Sequence, residues 1–89
     1  MDTCPRPEQD FPQRVPIKVI GRGAEMNPAR MAAVIQEHLG PQPEADRQHS
    51  SNKKGPYTSY TFWVTLPDAN AEVPLRAALQ DLPGVVMQL

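Results

Sequence analysis

Tyr57-Thr58-Ser59-Tyr60-Thr61-Phe62-Trp63-Val64-Thr65-Leu66 decides the fold. The stretch is crowded with Tyr, Thr, Phe, Trp and Val, which suit a pleated, half-buried surface. Alternation sorts it into two faces: Tyr60, Phe62, Val64 and Leu66 on one, Tyr57, Ser59, Thr61, Trp63 and Thr65 on the other. A strand of this kind must be covered on its apolar side, and the rest of the chain supplies the cover.

Immediately upstream, Lys53-Lys54-Gly55-Pro56 is a turn-forming cluster. Before it, residues 45–52 (Ala-Asp-Arg-Gln-His-Ser-Ser-Asn) carry no apolar stripe. Paired with Tyr57–Leu66 they make a hairpin whose polar arm belongs at a sheet edge, where polarity resists edge-to-edge aggregation. Further back, Val15, Ile17 and Val19 alternate with Pro16, Lys18 and Ile20 up to Gly21-Arg22-Gly23, a second strand pattern. Pro16 has no donor for a ladder and is expected near the strand start or at a bulge. Between these strands Asn27-Pro28 is an N-cap followed by proline at the first helical position. Met31, Val34, Ile35, His38 and Leu39 then recur at helical spacing until Gly40.

Downstream, Pro67-Asp68-Ala69-Asn70 turns the chain into a second helix with Leu75, Ala78, Leu79 and Leu82 on one stripe. Pro74 falls in its first turn, where a missing donor costs little. Leu82-Pro83-Gly84 ends it, and Val85–Leu89 is a short last strand. The order β-α-β-β-α-β, with right-handed crossovers, predicts an α+β sandwich: a four-stranded antiparallel sheet, order 4-1-3-2, with two helices on one face. Helix-facing positions are then Val15, Ile17, Val19, Tyr60, Phe62, Val64, Val85, Met87 and Leu89. The opposite face holds Ile20, Tyr57, Trp63 and Val86 among Lys18, Ser59, Thr61, Thr65 and Gln88.

Composition narrows the possibilities. The 89 residues suffice for one domain, and eleven prolines punctuate it. Pro5, Pro7 and Pro12 mark residues 1–12 as a flexible leader with almost no apolar content before Phe11, leaving residues 13–89 as the domain. Nine Lys+Arg against ten Asp+Glu give a net charge of −1, which counts against a generally basic nucleic-acid clamp. Cys4 is the one cysteine and forbids an internal disulfide; with two separated histidines it makes no zinc spacing, so neither metal nor cofactor is expected. The acidic, proline-containing amino terminus lacks a signal-peptide pattern and no apolar run is long enough to span a membrane, so the expected location is cytoplasmic.

Several segments together carry a family resemblance. They are Phe11-Pro12 through Ile17-Lys18-Val19-Ile20-Gly21, the helix ending in His38, Ser50-Ser51-Asn52-Lys53-Lys54-Gly55-Pro56-Tyr57-Thr58-Ser59-Tyr60-Thr61, and Val85-Val86-Met87-Gln88-Leu89. Over residues 11–89 the chain resembles the YbeD-like family of small, uncharacterised bacterial proteins. Pro56 departs from that family's pattern, in which the hairpin glycine precedes a small polar or charged residue. The resemblance implies a ferredoxin-like fold similar to ACT regulatory domains and brings no catalytic residues with it.

Three functional classes compete. For an enzyme, a nucleophile held by a base or convergent acids and bases are required. Cys4 lies in the leader, His38 suits the negative end of a helix, His49 sits on a solvated edge, and the carboxylates are scattered. No enzymatic activity is expected. For RNA binding, Lys54-Gly55-Pro56-Tyr57 begins like the third-strand signature of an RNA-recognition motif, but Tyr60 and Phe62 then fall on the helix side. Arg47, Lys53 and Lys54 form a basic hairpin, and RNA binding on the open face is the alternative function; nucleic acid is not the expected partner. The favoured class is a regulatory or interaction module that binds a protein partner or a small ligand. Its candidate partner face is Lys18, Ile20, Tyr57, Ser59, Thr61 and Trp63, with Trp63 either docking a partner or sheltered by Phe11. Sheet edges or the open face would also allow a homodimer. Gly21, Arg22 and Gly23 form a candidate anion or effector loop, corresponding to where ACT domains bind small effectors.

Overall fold

A computed structural model describes residues 11–42 and 49–89. Its elements are β1 (Gln13–Arg22), α1 (Pro28–Leu39), β2 (His49–Lys54), β3 (Tyr57–Leu66), α2 (Glu72–Gln80) and β4 (Val85–Gln88). The strands form one antiparallel sheet in the order β2-β3-β1-β4, the predicted arrangement. Both ten-residue strands lie at its centre, paired along their full length from Gln13–Leu66 to Arg22–Tyr57. Alternation along these strands therefore assigns Val15, Ile17, Val19, Phe62, Val64 and Leu66 to the buried core, closed by Met31 and Ile35 of α1 and Leu75 and Leu79 of α2.

Local chemistry explains the boundaries. The Asn27 side chain accepts a hydrogen bond from the Ala29 N–H, and Pro28 occupies the first turn. α2 has no side-chain cap but places Glu72 at its positive end, where Glu72 Oε2 also accepts from Arg76 Nε at 2.9 Å. The described β2 begins at His49 opposite Phe62, and the Thr65 N–H donates to Gln42 Oε1.

Two positions depart from expectation, each for a backbone reason. Pro16 is the fourth residue of β1, well inside it, and no bulge surrounds it. Lys18 exchanges both backbone hydrogen bonds with Leu89, so even-numbered residues of β1 direct their amides toward β4. β4 has already ended where Pro16 lies, and no ladder donor is lost. The second departure is β4 itself. A register shift between Ile20 and Gly21 puts Val85 opposite Gly21 but Met87 opposite Ile20 and Gln88 opposite Val19. Met87 and Leu89 therefore stand on the open face, not the helix face, and Gln88 takes the inward place. There its amide donates to the Arg76 carbonyl and to Gln80 Oε1, while its own Oε1 is buried without a partner among the described residues.

Candidate functional site

The β1–α1 connection and the β2–β3 turn meet at one end of the sheet and enclose a cleft of about 530 Å³ lined by Arg22, Gly23, Ala24, Glu25, Lys53, Gly55, Pro56 and Thr58. Two groups singled out separately, the glycine loop and the basic hairpin, thus contribute to one concavity although some 30 residues separate Gly23 from Lys53. Arg22 and Lys53 bring positive charge and Glu25 one negative charge. Thr58 forms a buried polar wall. Arg47 lies outside the described residues, and Lys54 falls on the other side of β2, opposite Tyr57.

The glycines serve the backbone first. A Cβ on Gly21 would stand 2.1 Å from the Gly84 carbonyl oxygen, and one on Gly23 would stand 2.3 Å from Thr58 Oγ1. Gly84 adopts φ +83, a left-handed conformation that side chains resist. The loop's donors are largely committed: Gly23 N–H to the Pro56 carbonyl, Glu25 and Met26 N–H to the Arg22 carbonyl. Any anion in the cleft would therefore be held chiefly by side chains, Lys53 on the Thr58 side of the sheet first among them, rather than by an amide nest.

The open face gathers the other candidates. Lys18 pairs with Thr61, Ile20 with Ser59 and Pro16 with Trp63. Trp63 is 40% exposed and carries the Arg14 guanidinium 4.3 Å from its ring centroid. Phe11 packs instead against the core on the helix side, so it does not shelter the indole. Tyr57 is exposed at the cleft end, between Arg22 and Lys54. Val86, Met87 and Leu89 add exposed apolar surface along β4.

The described histidines have structural surroundings. His38 is exposed, with Nδ1 3.0 Å from the Val34 carbonyl in the last turn of α1. His49 is exposed, yet its ring lies against Tyr60 and Phe62 with centroid separations of 5.4 and 5.2 Å, covering the rim of the core. Among the described residues no group of three or more His, Cys, Asp or Glu side chains is placed to hold a metal ion. No helix among them is long and apolar enough to cross a membrane.

Comparison with known proteins adds the family and the fold. Residues 6–89 match the family described as "Protein of unknown function (DUF493)". No curated protein matches the chain. The ACT domain from GTP pyrophosphokinase of Chlorobium tepidum superposes with a TM-score of 0.61 at 10% identity, covering 85% of this chain and 94% of that one. At that identity the likeness is one of fold alone.

Proposed function

The chain belongs to the DUF493 family, proteins of unknown function, and from that premise we propose that it is a non-enzymatic, ACT-like regulatory module that works by binding. Within the family we group it with the YbeD-like proteins, on the hairpin segment Ser50–Tyr60. The observation that carries the functional reading is the cleft at the β1–α1 loop, which Arg22 and Lys53 line from distant parts of the sequence. Two cations against one carboxylate favour a small anionic ligand, a carboxylate or a phosphate, over an apolar one. The same end of an ACT-like fold is where small effectors are expected to bind. The lone cysteine fits a reducing, cytoplasmic setting. Self-association, if it accompanies ligand binding, is better served by the β2 edge, unpaired among the described strands, than by the open face, where like charges would oppose each other.

A panel of small carboxylates and phosphates, screened by thermal unfolding, tests the cleft. A ligand present at about a hundred times its Kd stabilises the fold by about 2.7 kcal/mol, a shift of several degrees for a domain of this size. The expected result is such a shift in the native chain and its loss in Lys53→Ala. A panel without effect, or an undiminished shift in the variant, counts against the cleft. Turnover of any bound compound would overturn the non-enzymatic assignment.

A further inference from the structure

None of the four strands contains an aspartate or glutamate, whereas they carry Arg14, Lys18, Arg22, Lys53 and Lys54. Parity places Arg14, Lys18, Arg22 and Lys54 on the open face together with Tyr57 and Trp63. The described acids, Glu25, Glu37, Asp68, Glu72 and Asp81, all lie in turns or helices. Among the described residues, the side of the sheet away from the helices is therefore cationic.

We propose that this face binds single-stranded RNA, with Trp63 and Tyr57 as stacking platforms and Lys18, Arg22 and Lys54 along the phosphate path, while Arg14 braces one side of the Trp63 ring. Flat sheets that present aromatic rings beside cations bind single strands in this way, each stacked base contributing about 1–3 kcal/mol. The cations of β1 recur every fourth residue, about 13 Å apart along a strand. Ser59, Thr61 and Asn52 lie between the two rings and offer hydroxyl and amide partners to ribose 2′-hydroxyls. A second copy docked face to face would bring like charges together, and an acidic peptide would leave the two rings unused. This surface shares Arg22 with the cleft, whereas Lys53 and Thr58 lie on the other side of the sheet; loss of RNA binding in Lys18→Ala with the ligand shift retained would separate the two readings.

Trp63 is the sole tryptophan, so its fluorescence reports stacking directly. Titrating the full chain with a uridine-rich RNA of about a dozen nucleotides in 50 mM salt should quench that fluorescence saturably in the micromolar range. With three phosphates neutralised, log K should fall against log salt with a slope of about −2, a loss of about twentyfold on going to 200 mM. Lys18→Ala should flatten that slope by about 0.7. With labelled RNA read by anisotropy, Trp63→Ala should weaken binding at least fivefold and Trp63→Phe should restore most of it, circular dichroism confirming that both remain folded. Absence of quenching overturns the proposal. So does polyglutamate binding as tightly as RNA, which would mark a mere polyanion surface, or the DNA counterpart binding equally well.

Discussion

The two faces of the sheet are made by alternate residues of the same strands, yet they obey different rules. On the helix side Ile17, Val19, Val64 and Leu66 are wholly buried, and each side chain is constrained by close-packed neighbours. On the open side Trp63 and Tyr57 remain 40% and 44% exposed, and the Trp63 ring rests against the Arg14 guanidinium rather than a core. One face specifies the fold, and the other is free to recognise something. The difference shows where a domain this small has residues to spare: the helix side is filled by the core, and function is left with the open face and a terminal cleft.

That contrast is open to direct attack. Phe62→Ala should show the largest effect, about 3–5 kcal/mol in urea unfolding, because Phe62 is 2% exposed at the centre of the helix side. A loss below about 1 kcal/mol would mean that the core is not where the burial puts it. Gly21→Ala comes next, at about 1–3 kcal/mol, since the new methyl would strike the Gly84 carbonyl and the Met26 sulfur. A neutral result would show that the bulged pairing of β4 yields freely. The smallest change is expected for Trp63→Ala, no more than about 1 kcal/mol with near-native circular dichroism, despite the loss of the largest side chain in the molecule. Unfolding by that substitution would erase the distinction between the faces and remove the basis for open-face binding.

Much of this architecture was legible beforehand in the alternation of Tyr57–Leu66 and Val15–Ile20, because a period of two leaves one way to bury the apolar set. The strand order followed from element order and crossover handedness. Met87, Leu89 and Gln88 were misplaced because a bulge shifts register through backbone geometry at Gly21 and Gly84, and five residues of strand are too few to reveal it. The candidate site was legible only in pieces. Gly21-Arg22-Gly23 and Lys53 stood out as separate signals, while Glu25 and Thr58 gave none: a turn carboxylate and a strand threonine are ordinary until the chain folds around them. The cationic open face was equally hidden, since net charge sums over directions and only strand parity separates them.

The amino-acid order alone determined which segments become strands and helices, which side of each central strand is greasy, and how the strands are arrayed. These follow from periodicity and caps, which are properties of neighbours in the chain. Tertiary structure alone decided that the glycine loop faces the basic hairpin, that Gln88 turns inward, and that four cations share one surface. Such juxtapositions depend on register and on contacts between residues far apart in the chain, and short-range pattern carries no record of either.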